Sequence, residues 1–162
     1  MGYTHYWTFN SKAGKAADLE ARYQQAILEC QRVVFRLAAE NRELCGSACL
    51  SGYTAHSKPG KYGGLEINGA GDDACETFIM REHFNQNQSF GFCKTGRNFY
   101  DIAVVSCLAI LQYRLGDAIN VTSDGTSEDW ENIVSYVSRK LRRKIPVPAS
   151  IRPASRLRVV GE

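Results

Sequence analysis

The sequence predicts an α+β fold, a mostly antiparallel sheet of about five strands packed by three helices, in the order β-α-β-β-β-α-β-α. Three observations lead there. Residues 16–44 repeat apolar positions every three to four residues, residues 102–111 are apolar on nearly every side of a helix, and the remaining stretches break into short segments divided by Gly, Pro and Asn.

Tyr3 to Phe9 is rich in aromatics and threonine and reads as a strand that ends at the polar turn Asn10 to Gly14. From Ala16 to Leu44, Leu19, Tyr23, Ala26, Ile27, Cys30, Val33, Val34, Leu37 and Ala38 form one stripe of a long amphipathic helix, with Gly46 as its stop. Leu50–Ala55, Gly64–Asn68 and Glu76–Met80 are the next three strands, separated by Lys58-Pro-Gly60 and Asn68 to Asp73. Arg81 to Gln88 is polar and reads as a surface loop near the site, leading into Phe90-Gly-Phe92. Asn98 is expected to cap a central helix over 99–115, with Asp101 three residues on. Asn120 to Gly125 is a short strand entering a tight turn, after which Thr126 or Ser127 caps a helix running through Trp130, Ile133, Val134 and Val137 to Leu141.

At 162 residues, with 44% apolar and 23% charged content, the chain is long enough for one core. Residues 1–144 are read as that domain and 145–162 as an extended basic arm, broken by Pro146, Pro148 and Pro153. Residues 139–162 carry eight Lys or Arg against one Glu, a local charge of +7, which leaves −4 on residues 1–138 of a chain whose total is +3. Such an arm offers contact to nucleic acid or an acidic partner, although solvated charge is the commoner explanation. Met1 to Trp7 lacks the features of a secretory leader and no apolar run reaches the ~20 residues of a membrane span, so a cytoplasmic protein without a membrane partner is expected. The six cysteines are scattered and read as reduced thiols; Cys45 and Cys49 lack a second ligand pair, so no metal and no cofactor are expected.

Several catalytic signatures are excluded. Cys93-Lys-Thr-Gly96 has no Ser-x-x-Lys to supply a nucleophile and is not a Walker loop, and Gly69-Ala-Gly71 lacks the third glycine of a dinucleotide fingerprint. What remains is polar residues at element ends: Thr4, His5, Tyr6 and Trp7; Glu66 and Asn68; Glu76 and Thr77; Lys94, Thr95, Arg97 and Asp101; Ser123, Asp124 and Trp130. Lys94 and Arg97 stand out, because two cations beside a predicted helix start suit a phosphate or carboxylate.

Gly2-Tyr-Thr-His-Tyr-Trp7, Glu76-Thr-Phe78, Phe92-Cys-Lys-Thr-Gly-Arg97 with Tyr100-Asp101, and Thr122-Ser-Asp-Gly125 with Asp129-Trp130 together give the chain a resemblance to a group of small proteins of tailed phages and prophages. It departs from that pattern at Phe99, where a proline usually precedes Tyr-Asp, and at Thr122, where serine is usual. The resemblance implies a phage origin, hence a host-cell cytoplasm, and by analogy a role against host defence. The expected function is sequestration of a cyclic-nucleotide immune signal without catalysis. Lys94, Thr95 and Arg97 would hold phosphate, Tyr6 and Trp7 the base, and Asn68 and Asp124 base edges or ribose. The alternatives are a metal-independent phosphodiesterase with His5 as general acid or base, and an inhibitor binding a host protein or nucleic acid through the basic arm. A homo-oligomer is compatible with each.

Overall fold

The computed structural model describes residues 2–40, 64–69 and 71–154. Within them five strands and three helices follow the predicted order: β1 (Thr4–Phe9), α1 (Ala16–Glu40), β2 (Leu65–Ile67), β3 (Phe78–Met80), β4 (Phe90–Lys94), α2 (Asp101–Leu115), β5 (Ile119–Ser123) and α3 (Ser127–Leu141). The expected strand at Leu50–Ala55, the end of the first helix beyond Glu40 and residues 155–162 lie outside the described residues.

The strands form two antiparallel sheets rather than one. β1 is central, with β4 on one side and β5 on the other, while β2 and β3 pair only with each other. The outer edge of β5 is closed by side chains: Gln112 of α2 accepts from Val121 N–H and donates to Ile119 O, and Ser150 Oγ donates to Val121 O. An edge closed in this way has no free ladder to offer another strand.

β4 is the strand that the sequence reading did not assign. Phe90-Gly-Phe92 was expected to end a loop, yet residues 90–94 pair in full with β1, from Thr8↔Phe90 to Thr4↔Lys94. Gly91 makes the pairing possible, because a Cβ there would stand 2.4 Å from the Trp7 ring. The residues before it form the expected surface loop, with one buried anchor. Arg81–Gln88 docks on α1: Phe84 is buried edge-on to Phe9 and Tyr23, and Glu20 accepts both the Phe84 N–H and a bond from His83 Nδ1 at 2.8 Å. Buried aromatic surface, absent from an average-polarity reading, decides the fate of that segment.

α2 is buried on nearly all sides because it packs against α1, α3 and β5. α1 supplies its stripe of Leu19, Tyr23, Ala26, Ile27, Cys30, Val33, Val34 and Leu37 to the same core. Each such aliphatic or aromatic side chain contributes about 1.5–3 kcal/mol of burial. The β2–β3 ribbon adds Leu65, Ile67, Phe78 and Met80, with Phe78 edge-on to Trp7 at 5.3 Å. α3 begins with a capping box, in which the Thr126 side chain accepts from the N3 backbone N–H and Asp129 Oδ2 accepts the Thr126 N–H at 2.8 Å. Of the segment read as an arm, residues 145–154 lie on the body: Ile145 and Ile151 are buried, and Arg152 bridges to Thr126. Among the described residues no helix is long and apolar enough to cross a membrane.

Candidate functional site

Strand alternation sends Tyr3, His5, Trp7 and Phe9 of the first strand segment inward, and Thr4, Tyr6 and Thr8 outward. At the inward side of the sheet's end, the register places His5 opposite Cys93 and Ser123. His5 is fully buried, with Nδ1 2.8 Å from Ser123 Oγ and Nε2 2.6 Å from Asp101 Oδ1. The same Asp101 oxygen accepts the Thr95 hydroxyl at 2.6 Å. A carboxylate only accepts, so Nε2 carries a proton, while Ser123 Oγ on the Nδ1 side also takes the Gly125 N–H at 2.9 Å. Tyr3 and Trp130 close on the imidazole edge-on, at 5.1 and 5.5 Å.

Ser123–His5–Asp101 is the order of a nucleophile relay. Its base, however, has no exposed surface, and both ring nitrogens are already bonded. The network ties β1, β5, the β4–α2 turn and the first turn of α2 into one piece. It therefore sets the geometry of what surrounds it.

At the rim, Gly96 and Arg97 both have positive φ, 62° and 60°. For arginine that conformation costs about 1–2 kcal/mol and is held by surrounding contacts. Those contacts are visible: Tyr3 O accepts the Thr95 and Gly96 N–H groups, the Arg97 guanidinium lies 4.0 Å above the Tyr3 ring, and its NH1 is 3.3 Å from Asp129 Oδ1. The Thr126 N–H, and after it Arg97, hold the Asp129 carboxyl below its ordinary range against the opposing effect of burial. Burial, followed by the charges of Asp101 and Asp129, pushes the Tyr3 phenol up to about 12, so Tyr3 is neutral. Only glycine fits at 125, where a Cβ would stand 2.2 Å from the Tyr3 hydroxyl.

The outward face carries a different set. Tyr6 stacks with Phe90 at 6.5 Å and 26°, and Phe90 lies 6.1 Å from Phe92. Phe90 and Phe92 are 52% and 54% exposed, although they are strand residues. The next outward position on β4 is Lys94, whose ammonium has no carboxylate partner among the described residues. Thr4, Thr8, Asn120 and Thr122 complete the face by register.

No family model, curated protein or solved structure matches the chain.

Of the residues singled out in the sequence, the fold gathers His5, Lys94, Thr95, Arg97 and Asp124 at one end of the sheet. Asp124 extends the β1–β5 ladder there, its N–H donating to Thr4 O and its Oδ2 accepting the Thr4 N–H, both at 3.0 Å. Thr95 is buried and committed to Asp101. Tyr6 lies on the outward face, whereas Trp7 lies beneath Gly91 against Phe78 and presents no free ring to a ligand. Asn68 belongs to another turn and is fully used there, bonding Gly69, Cys75 and Thr77. Asn98 does not cap with its side chain as expected: its carboxamide donates to Asp73 O, and α2 starts three residues later. The anion beside that helix start is the protein's own Asp101, and Lys94 and Arg97 sit in the strand end and turn before it. Phe90 and Phe92 were overlooked, though the alternation Phe90-x-Phe92-x-Lys94 was a signal for them. Among the described residues no three metal-ligating side chains come together.

Proposed function

We propose that the protein binds a nucleotide-type ligand on the outward face of the three-stranded sheet and holds it unaltered. Bases stack on Tyr6, Phe90 and Phe92, and Lys94 takes phosphate. The supporting observation is the aromatic trio on one sheet face, exposed Phe90 and Phe92 beside half-buried Tyr6, with Lys94 at the next outward position of the Phe90 and Phe92 strand. Exposed aromatics on strands seldom lack a partner, and rings beside a cation are the means by which sheet faces hold nucleobases and phosphates. The likeness to phage proteins makes a cyclic-nucleotide signal of host defence the first ligand to test.

A panel of cyclic di- and oligonucleotides is incubated with the protein, and free ligand is measured by chromatography before and after heat release. One member is depleted and returns intact. Phe92→Ala weakens uptake by about 1–3 kcal/mol, or roughly five- to 150-fold, if one base rests on that ring. Lys94→Ala weakens it further as salt falls. Uptake that is unchanged in Tyr6→Ala, Phe90→Ala, Phe92→Ala and Lys94→Ala, or no uptake at all, defeats the reading. The order Ser123–His5–Asp101 favours one rival, hydrolysis; its mark is a released ligand of altered mass, lost in His5→Gln.

A further inference from the structure

A second charged region lies away from the sheet, between α1 and the end of α3. Glu29, Arg32, Val33, Phe35, Arg36, Lys140, Leu141, Arg142 and Arg143 line a groove of about 610 Å³, a volume ordinary for a small-molecule site. Five of the nine lining residues are cations and one is an anion.

Neutralisation within the protein is partial. Glu29 is buried and its Oε1 is shared by Arg114 and by Arg143, the latter at 3.0 Å. Lys140 pairs with Glu40 and lies 5.2 Å from the Tyr136 ring. Arg32, Arg36 and Arg142 have no carboxylate partner among the described residues. Three guanidinium groups without a direct ion pair, one of them Arg36 within the field of Glu40, therefore face a groove in which a lysine and a fourth arginine are already fixed by pairs. Holding cations in place before binding lowers the ordering cost of the ligand complex.

Arg142 ends α3 with φ 52° and ψ 42°, a left-handed cap that glycine or asparagine usually supplies. Arg97 and Arg142 are the two non-glycine residues with positive φ among the described residues, and each stands at a cluster of cations. Local stability alone favours glycine at 142, where an arginine in this conformation costs about 1 kcal/mol.

We propose that this groove binds a compact polyanion carrying a di- or triphosphate group. Arg32, Arg36 and Arg142 offer three guanidinium groups to its three to four negative charges, and the guanidinium fork suits phosphate oxygens bidentately. Val33 and Leu141 form an apolar floor beneath them. The site is separate from the aromatic sheet face and needs no base.

Sodium tripolyphosphate is the probe, titrated calorimetrically into the full chain at 150 mM salt, with orthophosphate alongside. Tripolyphosphate binds and orthophosphate binds at least tenfold more weakly. Arg36→Gln and Arg142→Gln each weaken tripolyphosphate by about tenfold or more, the scale of one charge-assisted hydrogen bond. Lys12→Gln, an exposed charge elsewhere, leaves it unchanged. Circular dichroism and melting temperature confirm that each variant is folded. Absence of binding at millimolar tripolyphosphate overturns the proposal. So does binding that survives Arg32→Gln, Arg36→Gln and Arg142→Gln together but is lost in Lys94→Ala with Arg97→Ala, or a preference for an Asp/Glu-rich peptide over the phosphate.

Discussion

Asp101 is the acceptor on which the buried network rests, so replacing it by alanine and by asparagine separates the effect of the acceptor from that of its charge. In Asp101→Ala the His5 Nε2–H and the Thr95 hydroxyl, bonded at 2.6 Å each, lose their partner inside the protein. An orphaned buried donor costs about 1–3 kcal/mol, so the two together cost roughly 4 kcal/mol at mid-range. Asp101→Asn keeps an oxygen at the same place and converts two charge-assisted bonds into neutral ones, at roughly 1 kcal/mol each. Against a native stability of about 5–15 kcal/mol, alanine is severe and asparagine moderate. Urea unfolding with linear extrapolation measures both. Thr95→Val supplies the internal check, since Asp101→Ala costs less in that background, where one donor is already gone. A loss below about 0.5 kcal/mol for Asp101→Ala, or equal losses for alanine and asparagine, would refute the assignment of Asp101 Oδ1 as a shared acceptor.

Three further outcomes follow from single contacts. Gly91→Ala forces a Cβ to within 2.4 Å of the Trp7 ring and costs about 1–3 kcal/mol in urea unfolding, with a shifted Trp fluorescence; unchanged stability and spectrum contradict the packing. The Asp129 carboxyl, whose ordinary value is 3.8, is held lower in the folded chain, so its stabilisation is complete above about pH 5 and is lost as pH falls through the lowered value. Stability therefore falls more steeply between pH 5 and pH 3 in the unsubstituted chain than in Asp129→Asn, about the window in which such a carboxylate protonates, and equal slopes argue against the cap. Burial, with Glu76 beside it, pushes the Cys93 thiol up to about 12, and Cys30 and Cys107 are also buried, whereas Cys75 is half-buried. Alkylation at pH 8 read by mass spectrometry labels Cys75 first of these four; equal labelling of Cys93 opposes the structure.

Periodicity made the helices legible, because the spacing of Leu19 to Leu37 and the apolar run of α2 are local facts about side chains on a 3.6-residue turn. The cap at Thr126 was legible for the same reason, since the capping box lies within four residues. β4 was not, because Phe90-Gly-Phe92 becomes a strand through its pairing with residues 4–8, which local propensity does not register. The surface loop at 81–88 was legible but its docking was not: Phe84 and Asn87 meet partners on α1 more than sixty residues away.

The candidate site divides along the same line. Lys94 and Arg97 could be named from their types, as two cations in one short segment. Strand alternation parts Tyr6 from Trp7, but only the tertiary structure decided which of the two rings faces the core, through packing and the register with β4 and β5. It also brought His5, Thr95, Asp101 and Ser123, spread over 119 residues, into one buried hydrogen-bonded group. By itself the sequence determined the three helices, the strands β1, β2, β3 and β5, and the charges available. Which residues share a face, and which polar groups lose access to water, depended on non-local pairing, because a one-residue change of register turns every strand side chain to the other side.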